Sequence, residues 1–459
     1  MQVITSLDYY LLPIYLILSF IMVYSLREKL NPDKSTYKIY YIAFTLKVGG
    51  GLAFALIAQY YYGFGDTLVY FDATKTFHDH IIHDPSNLKY FFASAEQYEN
   101  LTDKALVGNY FIIDASALVV IKFATIFSFI SFNTYLNTTL FFVILSFSGM
   151  WAIFKVFITL YPDLKKQFAW GILYLPSVIF WSSGLMKDSL TIAATGWLFY
   201  SFYQYFVFKD KKLVYLLLAA VSIYLMYVIK IYIIATIGIT FIVVGVLYML
   251  LILRPLSLRI TIISAISITL IILYSTENII SDYISSFSLE SIVDKISTFQ
   301  SLYERNNTVN EGNFDIGTLN PTLSGIISKI PVAIGTVLYR PFLWESKNMI
   351  MIFSGLENFI LMALSIYVIF RAGFINFFKI ISKQSLIQYC LFFTLIFCML
   401  VGLTTFNFGT MIRYKAPCMP FYTSFLILIN YYTSLNKRNK LFTNSFVNVS
   451  SRRSRRVHT

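Results

Sequence analysis

The sequence predicts an all-α polytopic membrane protein of about eleven transmembrane helices, with interfacial helices in long external loops. Three observations predict it. Hydrophobic residues make up 57% of 459 residues and charged residues only 13%, more apolar side chain than a single water-soluble core of this length needs. The apolar residues fall into runs of roughly 17–25, the length that crosses a bilayer as helix. The net charge of +13 sits largely in links between alternate runs, as the positive-inside rule requires. That last pattern accounts for the basic balance without a nucleic-acid partner. Cys390, Cys398 and Cys418 lie in or beside apolar runs and imply no disulfide framework.

The expected spans are 9–26, 39–60, 136–159, 168–182, 189–207, 213–229, 231–252, 259–274, 351–370, 385–404 and 416–434. The first run lacks a basic leader and a small-residue cleavage site, so it reads as a span rather than a removable signal. The tail carries Lys437, Arg438, Lys440, Arg452, Arg453, Arg455 and Arg456 and is placed in the cytoplasm. Working backwards, Arg371, Lys379, Lys383, Arg254, Arg259, Lys209, Lys211, Lys212, Lys165, Lys166, Arg27, Lys29, Lys34 and Lys38 fall inside. Segments 61–134 and 275–350 fall outside. Two stretches in them, 106–131 and 326–344, are apolar but interrupted by charge, and are read as interfacial helices. The organisation that follows is an extra N-terminal helix and cytoplasmic loop (1–38), a transmembrane module (39–274) containing loop 61–134, an external loop (275–350), C-terminal helices (351–435) and a basic tail (436–459).

On this topology the unusual polar residues all fall on the outer side. Charge at membrane depth is costly and defaults to a functional reading. In 61-YYGFGDTLVYFDATKTF-77, a helix starting after Gly65 stacks Asp66, Tyr70 and Ala73 on one face. Asp66 is then either a helix cap or a general base; Asp72 points elsewhere. The nearby His78, Asp79, His80, His83 and Asp84 show no specific metal-ligand spacing, and no metal or cofactor is expected. In 181-WSSGLMKDS-189, Lys187 opposes the dipole of the following helix and Asp188 suits it; Lys187 is either a snorkelling anchor or a phosphate ligand. Lys230 lies between two spans with no acid near it in sequence. Arg340 and Glu345 stand in 339-YRPFLWES-346, and Arg413 and Lys415 in 407-NFGTMIRYKAP-417. Each base alone reads as an interface anchor; together they read as a pocket for an anionic headgroup, arginine being suited to bidentate phosphate contacts.

These stretches resemble the integral-membrane glycosyltransferases of the GT-C superfamily. The resemblance rests on GDTLVYFDATKTF after a span, on 106–131 as an interfacial helix, on Lys230 at the outer end of a span, and on 413-RYKAPCMP-420. It implies a GT-C-like fold and transfer of a sugar from a polyprenyl-phosphate-linked donor to an acceptor hydroxyl on a saccharide, lipid or protein. Asp66 would be the base, with Asp72, Tyr70, Lys187, Asp188, Lys230, Arg340, Glu345, Arg413 and Lys415 binding substrate. The expected setting is a multi-pass protein of a bacterial inner membrane, in contact with membrane lipids, its site on the outer face. The chain departs from the pattern in its extra N-terminal span and its lack of a clean acid pair. A polyprenol-linked O-antigen polymerase and a lipid-linked saccharide flippase remain the alternatives.

Overall fold

The computed structural model describes residues 2–30, 33–99, 112–252, 314 and 323–454. The described residues are almost entirely helical. Six helical stretches among them are long and apolar enough to cross a membrane: Ser6–Leu30, Lys34–Tyr62, Tyr135–Leu160, Leu213–Met249, Met349–Ala372 and Ser385–Thr404. The remaining expected spans fare differently. Segment 168–182 is split into Lys165–Phe168, a π turn Ala169–Leu173, and Pro176–Trp181, because Pro176 cannot continue a helix with normal hydrogen bonding. Segment 189–207 is Lys187–Phe202 plus a π turn to Val207. Segments 213–229 and 231–252 form one helical run, Leu213–Ile252, interrupted at Lys230. Such a run, unbroken, would be ~60 Å long, twice the hydrocarbon thickness. Segment 416–434 is helical from Met419 on, within Met419–Ser454. The expected span 259–274, most of loop 275–322, and residues 106–111 lie outside the described residues.

The chain divides into two compact units, Met1–Ala235 with Ile412–Pro420, and Thr236–Met411 with Phe421–Thr459. In the first, α1 (Ser6–Leu30) and α2 (Tyr37–Leu56) pack with α5 (Tyr135–Leu160), α6 (Pro176–Trp181), α7 (Lys187–Phe202) and the first part of α8 (Leu213–Ile252). Helices α3 (Asp66–His83) and α4 (Ala115–Ile130) pack on each other. Helices α5 and α7 run parallel and nearly touch: a Cβ on Gly196 would lie 2.0 Å from the Gly149 carbonyl oxygen. Small residues permit that approach where neither helix gains from expelling water.

Contacts separate two ends of this unit. At one, Asp8 is fully buried and its carboxylate accepts the Leu136 N–H at 2.8 Å, capping α5 from 128 residues away. Gln59 accepts the Val3 N–H there, and Thr67 bonds Tyr135. At the other end, Lys165 pairs with Asp33 and Arg27 reaches Tyr41. The basic links 27–38 and 165–166 therefore share one end, and the start of α3 lies at the other.

Helix α4, read as interfacial, carries a polar stripe of Lys122, Thr125 and Ser128, and the stripe faces protein. Thr125 and Ser128 are buried, whereas Ile126, Phe129 and Ile130 are exposed. Lys122 donates to the Ala93 carbonyl. An apolar outer face suits lipid contact, since the stripe's hydrogen-bonding groups are satisfied internally.

In the second unit α9 (Leu323–Tyr339) packs along α12 (Ser385–Thr404), with Gly402 against the Ala333 backbone. It also touches α10 (Met349–Ala372), which is followed by α11 (Phe374–Lys383). Tyr422, on the last helix, joins Tyr339 and Ser365 in a buried hydroxyl chain.

Candidate functional site

Helix α3 begins where the sequence places it. Gly63 and Gly65 have φ of +68° and +133°, a region glycine enters without a Cβ clash, and the chain turns there into Asp66, the first residue of α3. Asp66 is not a cap. The N-cap is Gly65, and the Asp66 carboxylate instead accepts from Arg413 Nη1 at 3.0 Å, 347 residues away in sequence. Tyr70 and Ala73, on the same face, are buried beneath it. Burial, and next the Asp66 carboxylate, push the Tyr70 phenol well up, so it stays protonated.

Asp188 is the hub. Only 1% exposed, it lies in the first turn of α7, where the helix dipole favours an anion. Lys230 bonds Asp188 Oδ1. The backbone at Lys230 is extended, φ −151° and ψ 80°, so the helix breaks where its ammonium meets the carboxylate. The ammonium also sits 4.1 Å from the Tyr414 ring centroid, a cation–π contact. Arg413 Nε lies 3.2 Å from Asp188 Oδ2, yet neither atom has an aligned hydrogen bond. Burial works against the Arg413 charge, but Asp188, Tyr414 and Asp66 outweigh it and raise its pKa.

Lys187, next to Asp188, turns to another acid. It donates to Asp114 at 2.8 Å and to Ser116 Oγ at 2.6 Å, at the N-terminus of α4, where Asp114 caps Ser116 N–H. Burial raises the Asp114 pKa, but bonds from Lys187 and Ser116 hold it below the ordinary carboxylate value. The first unit thus holds Asp66, Asp114 and Asp188 against Lys187, Lys230 and Arg413, a balanced set. Lys230 has no acid near it in sequence, and it, Lys187 and Arg413 each bond a carboxylate that only tertiary folding brings near. Pairing is the physical requirement, since burying a lone charge costs several kcal/mol.

The other predicted residues fall elsewhere. Asp72 is half-buried, and its carboxylate forms no ion pair with a described residue. Lys415 is fully buried. Arg340 and Glu345 belong to the second unit, where they bind each other through three contacts of 2.5–3.1 Å. The Glu345 carboxyl is raised by burial but held low overall by Arg340 and the Phe342 N–H. Of the three bases expected to share a pocket, Lys230 and Arg413 meet at the Asp188 carboxylate in the first unit, and Arg340 pairs with Glu345 in the second. Among the described residues no cluster of acids, histidines and cysteines has the form of a metal site.

Three residues were not among the expected site residues. Asp114 follows the N-cap pattern of an acid just before an apolar run, a signal that was present. Tyr414 had no such signal. Lys47 is buried within α2, and its ammonium donates to Ser182 Oγ and the Val178 carbonyl at 2.5 and 3.2 Å. It thereby ties α2 to the C-terminus of α6, ahead of the loop leading to Lys187 and Asp188.

Among the described residues these features define a helical protein with six stretches able to cross a membrane and a buried charged cluster at one end of its first unit. No family model matches the chain, and no curated protein or solved structure is similar to it.

Proposed function

We propose that the protein is a membrane glycosyltransferase that moves a sugar from a polyprenyl-phosphate-linked donor to an acceptor hydroxyl, on the membrane face opposite its basic links. The observation that carries this reading is the Asp66–Arg413 pair. A half-exposed carboxylate at a helix start is held by a guanidinium that faces buried Asp188, which Lys230 holds in turn. Asp66 takes the proton of the acceptor hydroxyl as its oxygen attacks the sugar's anomeric carbon. The bond from that carbon to the phosphate oxygen breaks, and the polyprenyl phosphate leaves with the electron pair. Arg413, with Nη1 on Asp66 and Nε toward Asp188, supplies the positive charge that stabilises the leaving phosphate. Lys187 is the second cation within reach of solvent. Lys230 is too buried to touch substrate and fixes Asp188. Arg340, already bound by Glu345, is left out of this reading.

The test is transfer from a synthetic polyprenyl-phosphate sugar by purified protein in vesicles. Asp66→Asn keeps shape and removes the proton acceptor, so turnover should fall roughly 10²–10⁴-fold while donor binding changes little. Transfer at near the unsubstituted rate would remove Asp66 from the mechanism. A polysaccharide polymerase would use the same chemistry with a saccharide acceptor. A second reading, lipid-linked saccharide translocation, is favoured by the helix break at Lys230 and by Lys47 buried inside α2, since transporters place charges at interrupted helices. Movement of labelled lipid across vesicles without any transfer product would select it.

A further inference from the structure

Helix α11 (Phe374–Lys383) joins two candidate spans, α10 and α12. At ten residues it is ~15 Å long, too short to cross a bilayer. Gly373, with φ +72°, turns the chain out of α10 into it. One side is packed: Ile380 and Ile381 are buried, Phe377 meets Phe425 edge-on, and the Asn376 carboxamide oxygen accepts from Asn436. The opposite side leaves Phe374 at 74%, Ile375 at 84% and Phe378 at 53% exposure. At 100° per residue these three cover an arc of about 100°, and Lys379 and Lys383 occupy the arc beside it. Both lysines are exposed, and neither forms an ion pair with a described residue. Asn436 brings exposed Lys437 to the same end of this unit.

A soluble surface does not leave three large apolar side chains side by side, and hydrocarbon does not accept two lysines. The boundary between the two accepts both. We propose that this face of α11 docks anionic phospholipid headgroups of the adjoining leaflet. Phe374, Ile375 and Phe378 enter the acyl boundary, and Lys379 and Lys383 pair with lipid phosphates. The partner is anionic rather than zwitterionic because the face offers cations with no compensating carboxylate.

The three native cysteines are buried, so Ile375→Cys in the full chain can be labelled selectively with a fluorophore. The protein is then placed in vesicles whose phosphatidylcholine or phosphatidylglycerol carries bromine high on the acyl chain. Bromine should quench the probe, and at equal mole fraction phosphatidylglycerol should show a local preference of roughly tenfold. Lys379→Gln with Lys383→Gln should abolish that preference and leave depth-dependent quenching intact. Absence of quenching would mean that water or protein covers the face, and would overturn the proposal. Equal quenching by the two lipids, or a preference that survives both lysine substitutions, would overturn it as well.

Discussion

Replacing Lys230 by methionine takes the cation away from a carboxylate with no access to water. Asp188 is 1% exposed and the Lys230 side chain 6%. After the change Asp188 keeps only Arg413, whose Nε faces it without hydrogen-bond alignment. Breaking a buried pair from one side costs about 3–5 kcal/mol. Asp188→Asn, which strands the ammonium against the Tyr414 ring, should cost a similar amount. The double variant removes both charges together. Its loss should fall short of the sum by about 2–3 kcal/mol, the coupling expected between buried contacting charges. For a unit of this size 1 kcal/mol shifts the melting temperature by about 2–4 °C, so each single variant should lose roughly 6–20 °C. Cys418 is buried and belongs to the first unit. With Cys390 and Cys398 replaced, exposure of its thiol to a fluorogenic maleimide during heating reports unfolding of that unit. Additive losses, equal to the sum within about 0.5 kcal/mol, would refute the claim that Lys230 and Asp188 act as a pair.

Three further outcomes follow from the geometry. Asp114 is held below its ordinary pKa of 3.8 by Lys187 and Ser116 against the effect of burial, so its contribution is full above that value and lost as pH falls through the lower folded one. The melting-temperature gap between the unsubstituted chain and Asp114→Asn should be constant above about pH 5 and shrink as pH falls below 4; a gap that does not shrink in acid would contradict the pairing. Gly196→Val forces a Cβ to within 2.0 Å of the Gly149 carbonyl, so α5 and α7 must separate, at about 1–3 kcal/mol or more; unchanged melting would show that the two helices do not pack so closely. Phe132→Cys and Glu28→Cys place exposed thiols at opposite ends of the first unit. An impermeant maleimide added outside intact cells should label the first and not the second, and labelling of both from the same side would reverse or break the topology.

The sequence by itself determined the helical membrane class, because the length and spacing of apolar runs are local properties. It determined that α3 starts after Gly65 and that a helix breaks at Lys230, since glycine torsions and a charge inside an apolar run act where they stand. It placed the basic links at one end, because charge at a span terminus needs no distant partner to be read. It did not determine how the charges are satisfied. Lys230 and Asp188 are 42 residues apart, Lys187 and Asp114 are 73, and Arg413 and Asp66 are 347. Read singly, the bases were interface anchors and together an anion pocket, and the Asp66 carboxylate could as well have been a helix cap. Only tertiary packing brings each base to a carboxylate, and it must, because the interior exacts several kcal/mol for a lone charge and nothing in a linear pattern says which opposite charge will answer it. The same packing turned the polar stripe of α4 inward and tied α6 to α2 through Lys47, where the ammonium found a carbonyl and a hydroxyl in place of the acid that no neighbouring sequence supplies.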